Sequence, residues 1–427
     1  MKRHECPVVF ATHGPGNHFF GYYDKSPLSR SGRRLLSHRA AFEWKRMPLS
    51  TDEVEVGYWD MDADVYHAVG STHAYNWQQG AQLQWLPPDF ESRIVFNDRE
   101  GERFVARIVD LVSGDTRTLP FPVYTVNPDG LSAICVNYER LAFTHPGYDY
   151  QGVVNPRWDG PLPEGDGLFR MDLATGDVAL VVPSAELVEF APIASMAGAK
   201  HYLEHAMYNS DGSRFCFLHR WGLPDGGIYA RLFTADADGT QRRCLLDSGS
   251  VSHFGWRGPK QISAWARPPS ALAGLRRSRL ASRWLLRPLL PLYRAITDAA
   301  SLERGRLTGD TYLLLDDAEG SVATLAPGVR WPDDGHCSWR PGDPRWMLTD
   351  TYEDAEFRRH LLLYDHDAGE VTEIGRFYSV RETCDTGFRC DLHPRWDHSG
   401  GRVCIDSSHR GDERQMYVVD VSEVVGD

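Results

Sequence analysis

Four of the chain's 17 histidines stand at one place in a repeated phrase. His205 precedes Tyr208, His253 precedes Trp256, His336 precedes Trp339 and His393 precedes Trp396, each by three residues. A fifth copy has Gln82 before Trp85, and the last two have Lys25 and Val123. Imidazoles gathered at equivalent points of a repeat are natural ligands for one transition-metal ion. They serve equally as acid or base near neutral pH. The bland alternative is that they tie neighbouring repeats together by hydrogen bonds.

More polar density surrounds these positions. His201 and Glu204 precede His205. Asp391 precedes His393 at a spacing that puts both on one side of a strand, where a carboxylate ligates or orients an imidazole. Arg220, in His219-Arg220-Trp221, suits bidentate capture of a carboxylate. The stretch from His73 to Gln79 carries amides and aromatics suited to sugars. The stretch from His13 to Lys25, with His18 and Tyr22, holds more His, Tyr and Asp than a turn requires. Both stretches suit an aromatic plug of a fold's centre equally well. His18, Tyr22, His73, Gln82, His201 and His205 are the candidate substrate-contacting residues.

The phrase that carries the histidines is an aromatic or aliphatic residue, a short polar turn and a β-rich run. Its copies begin at Leu28, Trp85, Val126, Tyr208, Trp256, Trp339 and Trp396. Val126-Asn127-Pro128-Asp129-Gly130 before Leu131–Val136 is typical, and so is Trp396-Asp397-His398-Ser399-Gly400 before Arg402–Ile405. The turn residues supply positive φ and local side-chain caps. Several copies continue into a second hairpin, as at Ser113-Gly114-Asp115 and Ala368-Gly369-Glu370. The unit is then about four antiparallel strands, which predicts an all-β, seven-bladed β-propeller spanning residues 1–427 as a single domain. The alternative is a pair of unrelated β-sandwiches. Equivalent positions near the starts of the innermost strands would face one another across a funnel. The early run Val8-Val9-Phe10 is expected to close the ring against the last blade.

One segment departs from this pattern. Residues 268–308 read as a basic helical insertion in blade 5, with Leu272, Leu275, Trp284 and Leu289 against Arg276, Arg277, Arg283 and Arg287. Pro288 and Pro291 divide it. It suits a solvated helical hairpin, a lid or acidic-glycan contact, or contact with a membrane surface or a second subunit.

Composition narrows the function. Lys plus Arg is 46 and Asp plus Glu 59, a net charge of −13, with 42% hydrophobic and 11% aromatic residues. That excludes a disordered chain and argues against nucleic acid as partner. No long apolar run follows the N-terminus, and the eight scattered cysteines match no zinc or redox spacing. The expectation is reduced thiols in a cytoplasmic protein. No Walker loop, dinucleotide fingerprint, zincin helix or nucleophile elbow is present, leaving metal-assisted acid–base chemistry or plain binding.

With these residues in place, the sequence resembles the oligogalacturonate lyase type of polysaccharide lyase, a family of seven-bladed propellers. The likeness is carried by His201-Tyr202-Leu203-Glu204-His205, by Phe217-Leu218-His219-Arg220-Trp221, by Asp334-Gly335-His336-Cys337-Ser338-Trp339, and by Asp391-Leu392-His393-Pro394-Arg395-Trp396. It implies β-elimination on an acidic, uronate-containing oligosaccharide. It further implies a divalent metal, manganese foremost with calcium or zinc as alternatives. His336 and His393 would ligate it, Arg220 would be the catalytic arginine and His253 the base. The family's Gln-x-x-His-x-His pattern meets Phe388-Arg389-Cys390-Asp391-Leu392-His393 here. Asp391 replaces a histidine and Phe388 the glutamine, which marks a divergent relative whose Asp391 either ligates the metal as a carboxylate or alters the site. The competing classes are a non-catalytic glycan- or protein-binding propeller, and a glycan hydrolase or assembly enzyme using Asp24, Glu204 or Asp391.

Overall fold

The computed structural model describes residues 1–268, 309–411 and 413–426. The expected insertion at 268–308 thus lies, apart from Pro268, outside the described residues. Seven antiparallel sheets follow one another along the chain. Their innermost strands are Asn17–Phe19, Gln84–Trp85, Thr125–Val126, His201–Tyr208, Val251–Arg257, Ser338–Trp339 and Arg395–Trp396. Each blade then steps outward by hairpins, giving a seven-bladed β-propeller.

Blade 4 shows why these residues form such sheets. Its second strand, Arg214–Gly222, is buried along almost its whole length. Phe215 and Phe217 pack into one cluster with Tyr124, Ile134 and Leu168 of blade 3. Cys216 and Leu218 alternate with them and join Phe254, Trp256 and Ile262 of blade 5. Period-two alternation therefore gives each face of the sheet to a different neighbour, so both faces are apolar.

The outer hairpins reuse one turn. Asp110 Oδ1 accepts from the backbone N–H groups of Val112 and Ser113. Asp172, Asp316 and Asp365 do the same in blades 3, 5 and 6. Each aspartate is followed four residues later by a glycine at positive φ, such as Gly114 at 79° and Gly176 at 84°. The side chain caps the turn, and glycine takes the left-handed position without a Cβ clash.

The ring closes as the sequence suggests. Val8–Ala11 is the outermost strand of blade 7, pairing Val8 with Val419 and Phe10 with Val418. An addition is Lys2–Arg3, which pairs in parallel with Thr372 and Glu373 at the edge of blade 6. The chain then enters blade 1 and crosses the centre at Gly21–Lys25. Tyr23 Oη donates to Phe254 O at 2.8 Å and accepts from Phe254 N–H at 3.0 Å. Buried Arg395 donates to Tyr22 O at 2.9 Å and to Asp406 Oδ1 at 2.8 Å. The centre is thus pinned to blades 5 and 7 at once.

Truncation before Thr12 removes both N-terminal strands and buried Cys6. Apolar side chains contribute about 1.5–3 kcal/mol each when buried, so the expected loss is about 3 kcal/mol or more. A urea titration should show an earlier midpoint, and an unchanged midpoint would show that the closure is dispensable.

Candidate metal centre

His336, Asp391 and His393 offer ligand atoms that all lie within 4.8 Å of one another. Among the described residues they are the one group of His, Cys, Asp or Glu side chains so arranged. His253 adjoins them. Its ring centroid is 4.1 Å from that of His336, which is 4.3 Å from that of His393. Tyr22 fills the middle, 5.1 Å from His393 and 5.0 Å from His205. Blades 4 to 7 therefore bring their equivalent histidines to one axis.

Backbone irregularity aims these side chains. Register shifts interrupt the innermost strands between Glu204 and Met207 and between Val251 and Phe254. Bulges of this kind bend a strand and redirect its side chains. Gln82, His205 and His393 take φ of 53°, 56° and 42°. A left-handed backbone costs a non-glycine residue about 1–2 kcal/mol, so three blades carry strain at the same point. The sequence spacing suggests a strand for Asp391 and His393, but both lie in a loop just before Arg395–Trp396.

Carboxylates orient two of the rings. Asp350 lies 2.9 and 3.0 Å from His336 Nδ1 and also accepts from the His336 backbone N–H at 2.7 Å. Asp334 lies 3.0 Å from His253 Nδ1. Each pairing places the proton on Nδ1 and leaves the lone pair on Nε2. His393 has neither arrangement: both of its ring nitrogens are buried without a hydrogen-bond partner. Asp391 is enclosed by Arg359 Nη1 at 2.6 Å and Arg389 Nε at 2.8 Å.

Burial drives the His393 pKa well below its ordinary value, and the His336 ring and the Arg395 and Arg389 charges push the same way. Burial also lowers His336, with Asp350 opposing. Burial raises Asp391, but Arg389 and Arg359 outweigh it and keep the carboxylate ionised. Two neutral imidazoles, one with orphaned nitrogens, beside an ionised carboxylate form a donor set that fits a divalent transition-metal ion.

The other candidates divide. Arg220 is engaged by the chain's own Glu204, Nη1 to Oε1 at 2.6 Å, rather than left open for a ligand. His205 is buried in the same knot, its Nδ1 3.4 Å from Glu204 Oε1. Gln82 holds its equivalent place in blade 2 and donates to Gln79 Oε1. Three histidines are not brought to the centre. His18 packs inside blade 1 between Trp59 and Tyr66. His201 is sequestered against His219, Trp221 and the Met196 carbonyl. His73 holds the carbonyl of Asp52 in an outer loop. Sequence reasoning missed Asp350, which ends the strand Trp346–Asp350, and Arg359, His145, Tyr148 and Tyr352, which come from segments without the repeated phrase. Asp334 and Arg389 stood inside quoted motifs, but only the fold shows what they touch.

Comparison with known proteins sharpens the fold. No family model matches the sequence, and no curated protein matches it. Among solved structures, the chain superposes on an oligogalacturonate lyase in complex with manganese, with TM-score 0.62, 15% identity and full coverage of both chains. An oligogalacturonate lyase from Vibrio parahaemolyticus gives TM-score 0.58 and 12% identity over 98% of this chain and 99% of that one. The β-propeller domain of a trilobed protease from Pyrococcus furiosus gives 0.52 and 9% over 95% and 96%. These likenesses establish the fold. No helix among the described residues is long and apolar enough to cross a membrane.

The sequestered histidines set a pH dependence. Burial lowers His18 to about 3, and it lowers to about 4 both His201 and His38, which is buried on the blade 1 strand Arg34–Ala40 with its Nδ1 on the Phe19 carbonyl. In the unfolded chain they protonate near pH 6.5. Between these values the unfolded state binds more protons, so their contribution is complete above about pH 6.5 and is lost as pH falls toward 4. Unfolding free energy should drop by several kcal/mol over that window. A flat stability profile from pH 7 to 4 would contradict neutral burial of these rings.

Proposed function

We propose that the protein is a polysaccharide lyase that cleaves a uronate-containing oligosaccharide by metal-assisted β-elimination. The observation that carries this reading is the contact between His253, oriented by Asp334, and the His336–His393 pair. A carboxylate-oriented base beside a cation-fitting donor set is what removal of a weakly acidic proton requires. The manganese in the oligogalacturonate lyase of the same fold supports manganese here, held by His336 and His393 with Asp391 as the third group.

The chemistry follows from acidity. The C5 proton of a uronate is α to its carboxylate and only weakly acidic. A bound divalent ion would neutralise that carboxylate and stabilise the charge that develops as the proton leaves. His253 Nε2 takes the proton, while Asp334 holds the ring and balances the imidazolium. Arg220 Nη1 is held by Glu204, but its Nε has no hydrogen-bond partner and remains a donor for the substrate carboxylate. The C4–O4 bond then breaks and an unsaturated uronate end remains. A chain of net charge −13 thereby takes a polyanion through local reversal of sign.

A second reading has one observation in its favour. His336 and His393 are only 2% and 0% exposed, beneath Tyr22. That burial suits a structural ion in a propeller that binds a glycan or a partner protein without changing it.

One assay separates the readings. Purified protein is incubated with uronate oligosaccharides, with and without a chelator. Elimination gives ultraviolet absorbance from the new double bond and products that have gained no water. Chelation should abolish the signal, and His253→Ala should lower kcat by about 10²–10⁴-fold. Products that have gained water would indicate hydrolysis, and absence of any product would favour the binding propeller.

A further inference from the structure

Elimination needs an acid as well as a base, because the departing O4 leaves as a poor alkoxide. A second imidazole is oriented by a carboxylate as His253 is, and one tyrosine ring separates it from His205. His145 caps the short helix Tyr138–Thr144, inserted within blade 3. Its Nδ1 lies 2.7 Å from Glu204 Oε2. Its side chain is 19% exposed, whereas that of Glu204 is 1% exposed. Glu204 would be raised by burial, but His145, His205 and Arg220 outweigh this and keep it ionised. Its other oxygen is taken by Arg220 at 2.6 Å, so the carboxylate is fixed in place. The His145 ring lies flat on Tyr148, centroids 4.2 Å apart, and Tyr148 in turn lies 5.5 Å from His205. Its chain neighbour Thr144 and Tyr202, whose ring centroid is 5.9 Å from that of His145, line a cavity of about 410 Å³ together with Phe143, Lys200 and Leu223. That cavity offers room for a sugar next to the one that reacts.

Resting on the elimination reading above, we infer that His145 is the general acid that protonates O4 of the leaving sugar, with Glu204 as its positioning residue. The site then holds two carboxylate-oriented imidazoles with opposite tasks, His253–Asp334 and His145–Glu204. The balance is simple. His253 Nε2 gains the C5 proton, the C5–H electron pair forms the C4=C5 bond, and C4–O4 breaks. O4 takes the proton from His145 Nε2, whose Nδ1–H stays with Glu204. Solvent then resets both rings, and no water is added to the product.

Leaving-group dependence tests the assignment. His145→Gln is compared with the wild type on a 4-O-glycosyl uronate and on a 4-O-nitrophenyl uronate, whose phenolate leaves without a proton. The expected result is a loss of about 100-fold or more in kcat on the glycosyl substrate and recovery of most of the rate on the nitrophenyl one. His253→Ala should lose activity on both. Equal losses of His145→Gln on both substrates would show a structural role and overturn the inference, as would unchanged activity on both. His145→Asn, whose amide still donates to Glu204, is the second variant if the first does not fold. A wild type that eliminates neither substrate would overturn the lyase reading itself, a failure separate from that of the acid.

Discussion

The pairing of Val8–Ala11 with Gln415–Asp420 turns seven sheets into a closed ring, and the centre depends on that closure. An open row of blades would leave His336 and His393, on blades 6 and 7, free to move away from His205 and His253 on blades 4 and 5. Closure fixes the channel's width, so side chains from blades far apart in sequence meet on one axis. It also forces the N-terminal segment across the channel, where Tyr22 and Tyr23 fill space that the short inner strands leave. Hydrogen bonds from Tyr23 to blade 5 and from Arg395 of blade 7 to Tyr22 hold that plug.

The centre this produces is costly to build. Four buried imidazoles, several carboxylates and several guanidinium groups share a small, enclosed volume. Desolvation on that scale is tolerable only where charges are paired. Asp391 meets Arg359 and Arg389, Glu204 meets Arg220 and His145, and Asp406 meets Arg395. In His393 both ring nitrogens are buried without a hydrogen-bond partner. The left-handed backbone at Gln82, His205 and His393 adds strain at the same level of the channel. Strain and an unsatisfied buried group at one point are the usual mark of a site kept for a ligand.

The repeat was legible because every blade needs the same turn and the same anchor, and those residues recur. Seven anchors from Leu28 to Trp396 sufficed to count the blades, and the offset histidines sufficed to expect a ring. His201 was expected beside His205 because it closely precedes it, but the register shift between Glu204 and Met207 separates their directions. His18 misled differently, since a polar residue in an aromatic stretch can be buried in a sheet as easily as shown to a ligand. Asp350 and Arg359 were not legible at all, and Arg389 stood in a quoted motif without a role. Each matters only through a partner from another strand or loop, and no spacing in the sequence encodes that meeting. The same holds for His145, which lies in an insertion outside the repeat.

The central claim is that the histidines of blades 6 and 7 form a divalent cation centre. Anomalous diffraction from crystals grown with manganese addresses it most directly. The account expects one strong peak within bonding distance of His336 Nε2 and a nitrogen of His393, absent in His393→Ala crystals. No peak there, or a peak elsewhere that survives that substitution, would contradict it.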